Sequence, residues 1–148
     1  MKVLFLDIDG VLNSTRSAVA FSGYPHSLMP DQLEMFDHVA LALVRRITSQ
    51  GVSVVMSTSW RYHFNAVEFA HALKLPVFDV ITPILRGPRG KGIAAWLKVR
   101  DDVSHWAIVD DDSDMLPEQM PRFVKTDLTV GMSLKNYEEL CRILEIKA

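Results

Sequence analysis

The first thirteen residues, MKVLFLDIDGVLN, constrain this chain more than any other stretch. The apolar run Val3 to Leu6 reads as a strand that delivers Asp7 and Asp9, after which Gly10 lets the backbone turn away. Side chains alternate along a strand, so extended geometry through Ile8 sends Asp7 and Asp9 to one side and Ile8 to the other. Two neighbouring carboxylates repel, which is costly unless a cation lies between them or one holds a proton. Catalytic carboxylates exploit both situations. A plain Asx-type turn would also call for Asp and Gly, for backbone reasons alone. What separates the two readings is whether the rest of the chain supplies the remaining parts of a reaction.

It does so at the ends of further strands. Ser14 to Pro30, rich in Ser, Gly and Pro with Phe21, Tyr24 and His26 interleaved, has no sustained period and reads as a long loop or short hairpin beside the first strand end. From Pro30-Asp31 apolar residues recur at three and four (Leu33, Phe36, Val39, Ala40, Leu43, Val44, Ile47), predicting one helix that Gly51 stops. Val52 to Met56 is a nearly continuous apolar strand ending in Ser57, Thr58, Ser59, Trp60 and Arg61, where hydroxyls and free amides ahead of a helix make an anion site. His63 to Leu73 reads as a helix with Phe64, Val67, Ala70 and Leu73 inward, and Val77 to Ile81 as a third strand. A basic, glycine-rich loop, Arg86 to Gly92, opens a helix predicted over Ile93 to Val99. The fourth strand, Trp106 to Val109, runs into Asp110, Asp111, Asp112, Ser113 and Asp114; a fifth is expected at Arg122 to Lys125, and a last helix at Leu134 to Ile146 with Leu134, Tyr137, Leu140, Cys141 and Leu144 on one face.

Strands alternating with helices predict an α/β fold: a Rossmann-like open parallel sheet of about five strands with helices on both faces. Ligands in such sheets bind beyond the carboxyl ends of the strands, where Asp7, Asp9, Thr58, Asp110 and Asp111 all fall. With 148 residues, nearly half of them apolar, the chain is expected to be one domain, 1–148. A formal net charge of -2 argues against a general nucleic-acid or membrane-surface binder. Cys141 is the only cysteine, no apolar run approaches the roughly 20 residues of a membrane span, and Lys2 is followed by too short an apolar run for a signal peptide. The expectation is a soluble protein of a reducing cytoplasm.

Three groups at three strand ends plus Lys91 assemble a phosphoryl-transfer kit. Asp7 suits a carboxylate nucleophile, and Asp9 an acid for the leaving oxygen and then a base for water. Asp110 and Asp111, with Asp7 and Asp9, offer hard oxygen ligands for Mg²⁺. Thr58 and Lys91 would hold the equatorial oxygens, with Ser57, Ser59, Arg61 and Arg89 as further substrate contacts. The five histidines fit no metal-ligand spacing, and Trp60, Trp96 and Trp106 read as core.

On these residues the chain resembles the haloacid dehalogenase (HAD) superfamily of phosphohydrolases through all four of its motifs: Asp7-Ile-Asp9-Gly-Val, Thr58 with its neighbours, Lys91, and Asp110-Asp111. A narrower likeness, in Met56 to Arg61, DGVLN and the DDD run, is to the HAD domains of RNA-repair proteins. Either Ser57 or Thr58 can be the second-motif hydroxyl, Thr58 being preferred because Ser59 and Trp60 then open the helix. The fourth motif admits Asp110 with Asp111 or Asp110 with Asp114. Relatives acting on small molecules commonly carry a cap domain, for which neither the first gap nor Arg61 to Arg89 leaves room. The resemblance therefore implies a capless, Mg²⁺-dependent phosphatase working through an aspartyl-phosphate, with phosphorylated nucleic-acid ends as the expected substrate. A small nucleotide or metabolite phosphatase and a catalytically silent binding or scaffold domain stand as alternatives.

Overall fold

The computed structural model describes residues 1–82 and 85–148. Its centre is a five-stranded sheet in the order β3-β2-β1-β4-β5, formed by β1 (Lys2–Leu6), β2 (Val52–Met56), β3 (Val77–Val80), β4 (His105–Asp110) and β5 (Phe123–Lys125). Every pairing is parallel, so all carboxyl ends meet along one edge. The period-two rule holds along β1: Leu4 and Leu6 enter one apolar cluster, Val3 and Phe5 the other.

Among the described residues six α-helices follow in chain order: α1 (Thr15–Ala20), α2 (Pro30–Leu33), α3 (His38–Thr48), α4 (Ala66–Leu73), α5 (Arg89–Lys98) and α6 (Leu134–Leu144). Val44 and Ile47 of α3, Phe69 and Leu73 of α4, and Leu140 and Leu144 of α6 bury against the Leu4/Leu6 face. On the opposite face, Ile93 and Trp96 of α5 pack with Val3, Phe5 and Ile108. The Trp96 ring meets Phe5 edge-on at 5.4 Å, a geometry worth about 0.5–1.5 kcal/mol beyond burial. None of the described helices is long and apolar enough to cross a membrane.

Several local expectations are corrected by capping. The single helix from Pro30 is two, because Asp37 caps a new start: its carboxylate accepts from the Val39 and Ala40 amides at 3.0 and 3.1 Å. The resulting rotation leaves Val39 64% exposed. Likewise, Ser59–Tyr62 forms a 3₁₀ turn and Asn65 caps α4, so Phe69 is buried while Val67 lies 77% exposed. The stretch 14–30 contains α1, whose start is a reciprocal Ser14/Ser17 capping box. Helix α5 begins at Arg89, four residues before the expected Ile93, and Leu134 of α6 is exposed. Among the described residues no cap domain is folded into either gap; residues 83 and 84 of the second gap lie outside them.

Candidate active site

Register brings the acidic residues together. Leu6 pairs with Met56 on one side and Val109 on the other, and the Asp7 amide extends the ladder by donating to the Val109 carbonyl at 3.2 Å. Asp7 therefore leaves the central strand beside Asp110, the last residue of β4, with Asp111 one residue on. One carboxylate oxygen from each of Asp7, Asp110 and Asp111 lies within 4.8 Å of the others. Asp7 and Asp110 are buried and Asp111 half-buried. Gly10 makes the approach of Asp111 feasible: it sits at φ +78°, and a Cβ there would stand 2.5 Å from Asp111 Cγ. The turn is held by Thr126, whose hydroxyl donates to the Gly10 carbonyl at 2.7 Å.

Burial first, and Asp7 second, push the Asp110 carboxyl up to about 8 even though Arg89 pulls it the other way. Asp111 is raised for the same two reasons. Arg89, in the first turn of α5, answers this charge: Nη1 lies 3.0 Å from Asp7 Oδ2 and also contacts Asp110 Oδ2. Burial alone would lower its pKa, but the two carboxylates outweigh that and raise it. The helix start that carries Arg89 is pinned to the loop after β4. Asp114 accepts the Arg89 amide on its carboxylate at 2.9 Å and the Gly90 amide on its carbonyl at 3.2 Å.

Lys91 stands differently. Successive helical residues are about 100° apart, so Lys91 points well away from the direction of Arg89. It is exposed, lies against Gly87, and forms no ion pair among the described residues.

Asp9 is not brought into the three-carboxylate group. It is exposed, and its oxygens accept from Asn13 Nδ2 at 2.9 Å and from Trp60 Nε1 at 3.0 Å. Ser57 and Thr58, at the end of β2, are both fully buried, whereas Ser59 is exposed. Thr58 caps the 3₁₀ turn, accepting the Trp60 amide at 3.4 Å. Arg61 folds back so that Nη1 donates to the carbonyls of Ser57 and Thr58 at 3.0 and 2.7 Å. Its pKa is lowered, chiefly by burial, with Tyr62 acting in the opposite sense. Ser57 Oγ and Arg61 Nε are buried without a hydrogen-bond partner among the described residues. A polar N–H and hydroxyl left in this state at a strand end suit an anion.

Two contributors were not singled out in the sequence. Asn13 orients Asp9 and also accepts the Gly10 amide at 3.0 Å; its spacing of four from Asp9 across a tight turn was the available signal. Trp60 is buried as expected of a core residue, yet its indole N–H is spent on Asp9, which no apolar pattern reveals.

Comparison with known proteins adds one finding: residues 3–137 match the profile of the family described as the HAD domain in Swiss Army Knife RNA repair proteins. Neither the curated proteins nor the solved structures contain a match.

Proposed function

The chain belongs to the family of HAD domains of Swiss Army Knife RNA repair proteins, and on that premise we propose that it is a Mg²⁺-dependent phosphatase of phosphorylated nucleic-acid ends. Its reaction runs through an aspartyl-phosphate on Asp7, within a single domain, 1–148, of a cytoplasmic protein. The observation that carries this reading is the grouping of Asp7, Asp110 and Asp111 within 4.8 Å at the carboxyl edge of the sheet.

The donor set fits a small hard cation. Three carboxylates with one guanidinium between two of them leave an excess of negative charge when all are ionised. Asp7, Asp110 and Asp111 would hold Mg²⁺, with Asp9 at the margin of the set. When bound, Mg²⁺ neutralises charge on the transferring phosphoryl group. Asp7 attacks phosphorus, and the bond to the leaving oxygen breaks as Asp9 protonates that oxygen. Asp9 then takes a proton from water, whose oxygen displaces Asp7 from phosphorus. Asn13 and Trp60 hold the Asp9 carboxylate for both transfers. Thr58 and Lys91 are assigned to the phosphoryl oxygens, and Ser57, Ser59, Arg61 and Arg89 to further contacts with the phosphate. Arg86, Arg89 and Lys91 fall in one six-residue stretch of a chain of net charge -2, a local basic segment that suits a terminal phosphate better than a long polyanion.

The test is phosphate release from phosphorylated RNA ends, mononucleotides and sugar phosphates, with Mg²⁺ and with excess chelator. RNA ends are expected to have the highest kcat/KM, with an advantage that salt reduces, and Asp7→Asn to release none. Equal activity in chelator would overturn the mechanism. Preference for mononucleotides or sugar phosphates without salt dependence would instead favour a small-molecule phosphatase.

One observation favours a second reading. Arg89 already neutralises part of the acidic group, so a catalytically silent binding domain could keep these carboxylates without a metal. That reading requires no turnover on any substrate and no change in thermal stability with Mg²⁺.

A further inference from the structure

A cavity of about 300 Å³ opens beside the candidate active site, on the side of Asp9. Asp9 forms one wall; Pro25 and His26 of the 14–30 stretch face the residues after β2, namely Trp60, Tyr62 and His63. The floor and one wall are rigidly tied to the chemistry, since the Trp60 indole N–H donates to Asp9 Oδ2 at 3.0 Å and the Trp60 ring packs on Phe36 at 5.8 Å. Tyr62, by contrast, is 56% exposed, and the Arg61 guanidinium stands over its ring at 5.2 Å. Among the described residues Asp9 is the only acidic one lining the cavity.

We propose that this cavity, resting on the phosphatase reading above, is a subsite for the terminal nucleoside of the leaving group, with Tyr62 and His63 as the stacking surface for its base. The group that Asp9 protonates is the one departing from phosphorus, so whatever fills the space next to Asp9 is the body of the leaving group. Five of the eight described residues that line the cavity carry flat rings, and Asp9 and Ser59 add hydrogen-bonding groups beside them. A base presents a π-face that any of these rings can receive, while Asp9 and Ser59 can meet the hydroxyls of its sugar, so a nucleoside uses both parts of the lining where a sugar alone would leave the rings without a partner. The size is at the lower end of small-molecule sites, adequate for one nucleoside and not for a stretch of chain. The cavity thus reads the last residue of an RNA end, while its phosphate lies at Asp7, the nucleophile of the proposed reaction.

The experiment compares one phosphorylated RNA oligonucleotide with the same oligonucleotide carrying an abasic residue at the phosphorylated end. In the unmodified protein the base-bearing end is expected to exceed the abasic end by about tenfold in kcat/KM, the scale of one base on one aromatic ring. Tyr62→Ala should bring that ratio to about one, and Tyr62→Phe, which keeps the ring, should preserve it. Equal rates on both ends in the unmodified protein would overturn the subsite and leave the phosphatase reading intact. Where no phosphate is released from either, the phosphatase reading fails, and competition binding to Asp7→Asn protein still decides the subsite. A tenfold preference for the base-bearing end that Tyr62→Ala abolishes supports it, and equal affinity refutes it.

Discussion

Arg89 Nη1 lies 3.0 Å from Asp7 Oδ2 and touches Asp110 Oδ2 as well, so one nitrogen bridges carboxylates from the ends of two neighbouring strands. The arginine is thereby the internal counter-ion of the acidic group. Replacing it by a shape-matched apolar residue, Arg89→Met, leaves buried Asp7, and Asp110 once it is ionised, without that partner. The metal-free variant is expected to lose about 3–5 kcal/mol of stability, the scale for stripping one member from a buried pair. Millimolar Mg²⁺ should restore a large part of the loss by binding only the folded state. Urea denaturation with and without Mg²⁺ measures both. A loss that Mg²⁺ does not repair would favour the silent-domain reading.

The raised carboxyl of Asp110 sets a pH dependence. In the folded, metal-free protein it holds its proton up to about pH 8, whereas the unfolded chain releases it near its ordinary value of 3.8. The folded state therefore binds the proton more tightly. The stabilisation is whole below about pH 4 and is lost as pH rises through about 8. At about 1.4 kcal/mol per unit, raising the pH from 5 to 8 removes on the order of 2–4 kcal/mol. Calorimetry in chelator should show Tm falling by roughly 5–10 °C over that interval. Asp110→Asn should flatten the slope, and so should saturating Mg²⁺, because a ligating carboxylate gives up its proton.

In the proposed reaction Trp60 acts through Asp9, to which its indole N–H donates. Trp60→Phe keeps a ring against Phe36 and Phe64 but deletes the N–H that holds Asp9 Oδ2. Loss of orientation should lower kcat by about tenfold for substrates with poor leaving groups and far less for an activated aryl phosphate, which needs little protonation. Asp9→Asn should show the same pattern more strongly. A uniform loss across leaving groups in both variants would remove Asp9 from the acid role.

Much of this arrangement was legible because it follows from periodicity and strand ends. The alternation of β1, the apolar runs of β2 and β4 and the positions of Asp7, Ser57, Thr58 and Asp110 all follow from a parallel sheet with its carboxyl ends aligned. What escaped depends on where helices start. Asp37 and Asn65 cap new helices inside stretches whose apolar spacing reads as continuous, and each restart rotates the buried face. The same effect separates Arg89 from Lys91: both read as loop cations until α5 is seen to begin at Arg89, and only then does the helix turn them apart. Contacts such as Trp60 to Asp9, 51 residues apart in sequence, have no local signature at all.

Gly10 offers the sharpest test of the acidic group itself. Its φ of +78° would strain any L side chain, and a Cβ would come within 2.6 Å of Asp111 Oδ2. The turn cannot easily yield, because Thr126 holds the Gly10 carbonyl and Asn13 its amide. Asp111 must then move, so Gly10→Ala should cost backbone strain of about 1–2 kcal/mol and, separately, cation affinity. Gly51 separates the two effects: its φ is +82°, yet a Cβ there meets nothing within 4 Å. Gly51→Ala should show the strain alone. Titration calorimetry with Mn²⁺ as a Mg²⁺ surrogate should find affinity lowered about tenfold in Gly10→Ala and unchanged in Gly51→Ala, with the larger stability loss in Gly10→Ala, where the clash with Asp111 adds to the strain. Equal Mn²⁺ affinity in the two variants would remove Asp111 from the metal ligands and leave the fourth motif to Asp110 with Asp114.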